Sequence, residues 1–380
     1  MKKILLIGEY YSTNLGDPVL CQTVKRNIEI NFPNAEVIPV DLSGKISYEE
    51  YYEPTRYSLF LKNFIRASYR LPFILGKSAF YRVYKNNEKR HIRIFSLIDK
   101  ILDNNKVDLA VFAGGALFMD YFSGAIYYIV KKLMLKNIKV IFHACGMGKL
   151  SKDSVILLKR VLSYKNIVSI SLRDSYDNFM QLFKCKKDVF QTYDTALMCS
   201  EYFKPSDLKI AEYGIGVIAL PEFYQFQKDL INKFLLSEKS WRIFTNGSPA
   251  DYEFAIRILT DLGVERDLLQ SYIANRPTCA EELVQTVTSF KKILSFRMHS
   301  LIISMAFGIP NVGFVWDDKV TELYQKIGMQ MNCEYPSGII DLADFDIKLN
   351  YNAIDLSKIV YEAGHKSKDL LISMISSVRI

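Results

Sequence analysis

Short apolar runs rich in Val, Ile and Phe alternate along the chain with longer stretches of helical periodicity, a pattern that predicts parallel sheets joined by crossover helices. Strands are expected near Ile4–Ile7, Glu36–Val40, Leu109–Ala113, Val140–His143, Val168–Leu172 and Val189–Thr192. A second series is expected near Tyr213–Ala219, Trp241–Asn246, Lys292–Phe296 and Val312–Val315. The change of series falls in the polar stretch Ser200–Glu212, which contains Pro205. The fold class is therefore α/β, with two domains and a cleft between them. Residues 1–205 form the first domain and 206–350 the second, and the helical pattern from Asn352 onward predicts closing helices over 351–380.

Composition narrows the class. At 380 residues, 49% hydrophobic and 24% charged, the chain has the make-up of a soluble globular protein. It holds no apolar run of the roughly 18 residues that a membrane span needs, and Met1-Lys2-Lys3 leads straight into Ile4–Ile7 without a signal-peptide cleavage pattern, so a cytoplasmic location is expected. Six scattered cysteines without a Cys-x-x-Cys pair or matching histidine spacing predict reduced thiols and no metal site.

The formal charge of +8 favours an anionic partner, and much of it is concentrated. Between Arg56 and Arg93, Lys62, Arg66, Arg70, Lys77, Arg82, Lys85, Lys89 and Arg90 face a single acid, Glu88, and are interleaved with aromatics such as Phe60, Phe64, Phe80 and Tyr84. Lys62, Arg66 and Arg70 share one helical stripe, which suits the face of an anionic membrane. The alternative is a solvated insertion at about 56–93 whose aromatics pack on their own domain. Nucleic acid is not an expected partner, because no recognised binding motif accompanies the charge.

Candidate chemistry gathers at the carboxyl ends of the expected strands, where doubly wound sheets bind ligands. The most informative segment is Arg297-Met298-His299-Ser300, between Lys292–Phe296 and a helical pattern over Leu301–Phe307 that Gly308-Ile309-Pro310 stops. It sets a guanidinium and an imidazole beside a helix N-terminus, whose N–H groups and dipole favour anions, and so points to anion binding and proton transfer. The alternative is that Ser300 caps the helix while Arg297 and His299 are solvated. After the first strand comes Gly8 to Pro18, containing Asn14, Gly16 and Asp17; Asp17-Pro18 also has the form of a helix cap and first residue. Gly114-Gly115 follows the third strand, where glycine lets backbone N–H groups approach a ligand. Arg173-Asp174-Ser175 follows the fifth, where the arginine could fork onto an anion or pair with Asp174 or Asp177 at the surface, and Ser175 could cap a helix. Asp194 stands at a further strand end, and Asp317-Asp318-Lys319 follows the last, its aspartates explicable as helix caps. His91, His143 and His365 are expected to be structural or solvated.

The ordered set Asn14-x-Gly16-Asp17, Gly114-Gly115, Arg173-Asp174-Ser175, Asp194 with Ala196-Leu197, and Arg297-x-His299-Ser300 with Gly308-x-Pro310 and Lys319 resembles the polysaccharide pyruvyl transferase family. The likeness runs to about Gly328. It departs where Ala113-Gly114-Gly115-Ala116 lacks a third glycine and where the basic insertion occurs. The resemblance implies a GT-B-like pair of Rossmann-like domains, and transfer of a pyruvyl group from phosphoenolpyruvate to two hydroxyls of one sugar as a cyclic ketal. Phosphoenolpyruvate is a donor substrate, with no cofactor and no metal expected. Its anions would meet Arg173 and Arg297, with Lys319 adding charge and Asn14, Gly16, Gly114, Gly115 and Ser300 lining the substrate. His299 would serve as the acid and Asp17 as the group orienting or deprotonating the acceptor. The acceptor would be a sugar, of which a polyprenyl-linked one fits the membrane-suited stripe. A GT-B glycosyltransferase using a nucleotide sugar and a non-catalytic glycan- or lipid-binding relative are the alternatives.

Overall fold

The computed structural model describes residues 2–53, 79–338, 340–351 and 356–378. The chain divides into two compact units. The first takes Met1–Tyr11, Val24–Tyr193 and Ser367–Ile380, and the second takes Ser12–Thr23 and Asp194–Lys366. The division thus falls at Tyr193, ahead of the expected residue 205. It also assigns Ser12–Thr23, with Asn14, Gly16 and Asp17, to the second unit.

The first unit is built on strands β1 (Lys2–Gly8), β2 (Ala35–Asp41), β3 (Leu109–Phe118), β4 (Lys139–Met147), β5 (Ile167–Leu172) and β6 (Val189–Gln191). They pair in parallel in the order β2-β1-β3-β4-β5-β6. Central strands buried on both faces need apolar residues at every position, which is why Leu109–Ala113 and Val140–Phe142 are continuous apolar runs. The helices are α1 (Gly16–Asn31), which spans the boundary between the units, then α2 (Ala79–Asn86), α3 (Glu88–Asn104), α4 (Asp120–Leu135), α5 (Lys152–Leu162) and α6 (Tyr176–Phe183).

The second unit repeats the plan with β7 (Ala211–Gly216), β8 (Trp241–Phe244), β9 (Phe290–Ser295), β10 (Asn311–Phe314) and β11 (Cys333–Glu334), ordered β11-β10-β9-β7-β8. Its helices are α7 (Tyr224–Leu235), α8 (Pro249–Asp261), α9 (Leu269–Tyr272), α10 (Ala280–Thr288), α11 (Met298–Ala306), α12 (Asp318–Lys326) and α13 (Leu342–Tyr351). Helix α14 (Leu356–Ser377) leaves the second unit at Lys366 and ends in the first. Each unit has its own apolar core. In such sheets the order reverses beside the first strand, so the ligand crevices are predicted at the carboxyl ends of β1 and β3, and of β7 and β9.

Several expectations change. Gly114 and Gly115 lie inside β3, with φ of 29° and 76°, where the register with β4 shifts between Gly115 and Phe118. The positive φ makes this a bulged strand where a turn was expected. Ser175 takes a left-handed conformation, φ 54° and ψ 32°, with no side-chain cap bond to α6. Helix α11 begins at Met298, three residues ahead of the expected Leu301, so His299 and Ser300 occupy its first turn. The edge strand β11 was not foreseen, as two residues carry no periodicity.

Lys62, Arg66 and Arg70 lie outside the described residues. The described part of the basic segment packs on its own unit: Tyr84 is 1% exposed, and Phe80 lies against the first core. Arg90 is buried, donating from Nε to the Leu42 carbonyl at 3.3 Å with its guanidinium 3.6 Å from the Tyr121 ring centre. Arg82 pairs with Asp153. Among the described residues no helix is long and apolar enough to cross a membrane, and no group of three or more His, Cys, Asp and Glu could hold a metal ion.

His143 is buried and meets Ser171 Oγ at 3.1 Å, while His365 Nε2 lies 2.7 Å from Glu201. His91 is also buried, in ring contact with both Tyr84 and Phe95, which also touch each other. Burial, reinforced by the neighbouring Arg90 charge, lowers its pKa from 6.5 to about 4. Between those values the unfolded chain holds a proton that the folded protein sheds, so stability falls as pH drops through this window and levels off below it. The loss is expected to reach about 3 kcal/mol, and His91→Phe should flatten that part of a stability–pH curve measured by urea unfolding. An unchanged acid slope in the variant would remove His91 as its source.

Candidate active site

The carboxyl end of β9 turns at Phe296 and Arg297 into α11. Ser295 Oγ accepts the Arg297 backbone N–H at 2.9 Å, and Trp316 Nε1 donates to the Phe296 carbonyl. The turn is thus fixed on both sides before the helix starts. Arg297 holds the N-cap position with extended backbone, φ −88° and ψ 112°, and Met298–Ala306 is almost wholly buried. The positive end of this helix is therefore set at the predicted crevice of the second sheet.

The Arg297 side chain bonds through Nη2 to Asp251, which is 1% exposed. Asp251 stands in the first turn of α8, after the cap residue Ser248, and its other oxygen accepts the Ala219 N–H at 2.9 Å. The carboxylate therefore anchors the guanidinium to the segment that follows β7. Arg297 Nε is buried and has no hydrogen-bond partner among the described residues.

His299 lies 3.9 Å, Nε2 to Oδ1, from Asp17, and both side chains are nearly buried. That separation is too long for a direct hydrogen bond. The Asp17 carboxylate is steadied by Asn14, whose Nδ2 donates to Oδ2 at 2.9 Å, and Asp17 N donates to the Asn14 carbonyl at 3.2 Å. Gly16 packs directly on the imidazole: a Cβ there would come 2.2 Å from His299 Cβ and 2.4 Å from Nδ1. Ser300 donates to Asn246 Oδ1 at 2.6 Å and supplies no cap, and the Asn246 carbonyl accepts the Leu15 N–H at 2.9 Å. Asn246 thereby ties the loop of Asp17 to the helix of His299. Lys319 Nζ sits 4.6 Å from the centre of the Trp316 ring and 3.4 Å from Asp317, which caps α12 by accepting Lys319 N.

The second unit therefore holds Asn14, Gly16, Asp17, Arg297, His299, Ser300 and Lys319, whereas Arg173, Gly114 and Gly115 belong to the first. Arg173 is buried and pairs with Asp174 at 3.2 Å, so the expected pairing occurs in the interior and not at the surface. Asp174 in turn accepts the Met147 N–H at 2.9 Å. Asp194 caps the 3-10 turn Thr195–Glu201, which packs against α11. Asp251 and Asn246 were not singled out from the sequence. Their signal was present in Asn246-Gly247-Ser248-Pro249 at a strand end, a turn and helix start with Asp251 in the first turn.

This arrangement offers a guanidinium, an imidazole and a carboxylate within one hydrogen-bonded framework, suited to holding an anion and moving a proton beside it. The family model of the polysaccharide pyruvyl transferases matches residues 14–318, from the Asn14 loop to the start of α12. No curated protein matches the chain by sequence. Among solved structures, a putative UDP-N-acetylglucosamine 2-epimerase from Listeria monocytogenes superposes with a TM-score of 0.56 at 13% identity, covering 99% of this chain and 96% of that one. UDP-GlcNAc 2-epimerase from Methanocaldococcus jannaschii gives 0.57 at 10% identity, with 99% and 100% covered. The trehalose-6-phosphate synthase OtsA gives 0.56 at 10%, with 100% and 99% covered. At these identities the likeness establishes the fold alone, that of the GT-B proteins. With the family model covering most of the sequence, the chain belongs to the polysaccharide pyruvyl transferase family.

Proposed function

We propose that the protein transfers the pyruvyl group of phosphoenolpyruvate onto two hydroxyls of one sugar, forming a cyclic ketal during synthesis of a cell-surface or exported polysaccharide. The observation that carries this reading is the meeting of Asp17 and His299 at 3.9 Å, beside the Arg297–Asp251 pair, in a chain of this family. Arg297 binds the donor's carboxylate or phosphate, and Lys319 contributes charge. His299 protonates the methylene carbon, leaving positive charge at C2. A sugar hydroxyl attacks C2 while its proton passes to Asp17; phosphate then departs with its bridging oxygen, and the second hydroxyl closes the ring, its proton leaving with phosphate. A hydroxyl at ordinary hydrogen-bond distance from both Asp17 and His299 would subtend an angle of about 90° across their gap, which is feasible for a bridging oxygen. The positive charge in this scheme comes from arginine and histidine, with no step routed through a metal or a redox cofactor.

Incubation with phosphoenolpyruvate and an acceptor glycan should release inorganic phosphate and add about 70 Da to the sugar, with no demand for divalent cation, because side chains supply the electrostatic stabilisation. The fold neighbours that are epimerases of UDP-GlcNAc favour a second reading, nucleotide-sugar chemistry. Extension of the glycan by a whole sugar unit from a nucleotide donor, with no response to phosphoenolpyruvate, would replace the first reading by the second. The basic stripe in the sequence adds a membrane-facing role for a polyprenyl-linked acceptor. If so, changing Lys62, Arg66 and Arg70 to Glu should release the protein from anionic liposomes, each charge contributing about 1 kcal/mol. Equal binding by both proteins would dismiss that role.

A further inference from the structure

Three buried side-chain atoms of the site just described have no hydrogen-bond partner among the described residues: Asn14 Oδ1, Asn246 Nδ2 and Arg297 Nε. More than nine in ten buried polar groups in folded proteins are paired, so a cluster of exceptions at one place needs a cause. Leaving each such group dry and unpaired carries its full desolvation penalty. Stability alone would favour apolar replacements. A ligand that supplies the missing partners accounts for their retention.

Asn246 is the most constrained of the three. It lies just past the carboxyl end of β8, is 1% exposed, and is held at two points, by Ser300 on its Oδ1 and by Leu15 on its carbonyl. Those contacts flank the reacting pair in sequence, since Ser300 follows His299 and Leu15 lies between Asn14 and Gly16. With Oδ1 taken by the serine hydroxyl, the two N–H groups of Nδ2 are donors only. Arg297 Nε is likewise a donor, whereas Asn14 Oδ1, next to the Asp17 carboxylate, can only accept. The three atoms therefore sort by chemistry into two donors and one acceptor.

We propose that Asn246 contacts the donor substrate, its carboxamide N–H groups joining Arg297 Nε in binding an anionic oxygen, while Asn14 Oδ1 joins Asp17 in accepting an acceptor-sugar hydroxyl. This rests on phosphoenolpyruvate being the donor and extends that reading to Asn246, which the family motif does not include. It also separates the two substrates within one framework, anion on one side and hydroxyl on the other, with His299 between them in the chain of contacts.

A purely structural clamp makes the opposite prediction for one substitution. Asn246→Asp keeps an oxygen acceptor for Ser300 but puts negative charge where the donor's anion would lie, whereas Asn246→Ala removes the clamp and leaves no charge. Calorimetric titration with phosphoenolpyruvate should show binding weakened roughly 10-fold in the alanine variant and substantially more in the aspartate variant. Aspartate binding close to wild type, with alanine weaker, would reduce Asn246 to a clamp and overturn the inference. Should either variant fail to fold, the wild-type protein labelled with ¹⁵N-asparagine provides a second measurement. The Asn246 carboxamide resonances, assigned through Asn246→Gln, should move on saturation with phosphoenolpyruvate; unmoved resonances would also overturn it. Absence of any phosphoenolpyruvate binding by the wild type is a separate outcome, which would remove the donor reading and this inference with it.

Discussion

Replacing His299 by glutamine is expected to slow pyruvyl transfer by about 100-fold or more while leaving phosphoenolpyruvate affinity within a few-fold of wild type. Glutamine is of similar length and can hydrogen-bond to the Asp17 carboxylate, which lies 3.9 Å from the imidazole. It cannot deliver and recover a proton near neutral pH, and that is the function assigned to the ring. Phosphate release would report the rate and calorimetry the affinity. A normal rate in the purified variant would remove the imidazole from the chemistry, whereas a large loss of affinity with turnover preserved would make it a binding group.

Gly16→Ala should be comparably damaging, through packing. The added methyl would lie 2.2 Å from His299 Cβ and 2.3 Å from Cγ, the root of the side chain, where rotation of the ring offers little relief. Either the imidazole leaves its position or the start of α1 shifts, and Asp17 is the next residue along. A turnover loss of about 100-fold is expected, with destabilisation of about 1–3 kcal/mol from overpacking. Because both substitutions act on the same ring, the Gly16→Ala, His299→Gln double variant should turn over about as slowly as His299→Gln alone. Multiplication of the two losses would show that Gly16 acts elsewhere, and a fully active Gly16→Ala protein would contradict the contact.

The sheets were legible because buried parallel strands need unbroken apolar runs, and each of the ten expected strands corresponds to an observed one. Their ends were less so. The N-cap of α11 is Arg297, a residue without the usual capping side chain, so nothing in the local pattern set the helix start ahead of Leu301. Gly114 and Gly115 gave the signal of a turn, but only the pairing with β4 makes them a bulge. In the site, the Arg297-x-His299-Ser300 segment was conspicuous because its chemistry is concentrated in adjacent residues. The contributions of Asp251 and Asn246 depend on contacts with residues 46 and 54 positions away, which a local pattern does not record. The placing of Asp17 with His299 is of the same kind, since proximity in the chain ties Ser12–Thr23 to the first sheet while the contacts tie it to the second unit.

That placing bears on how such a protein can be cut and recombined. The second unit is not a continuous stretch of chain: its contiguous part, Asp194–Lys366, carries Arg297 and His299 but omits Gly16 and Asp17, which are encoded near the N-terminus. A gene fragment cut at the visible change of strand series would therefore lack Gly16 and Asp17 and the contacts they make with His299. Exchange of this unit between relatives has to carry two separated segments together, because the residues around Asn14–Asp17 and around Asn246–Ser300 keep their contacts only as a set.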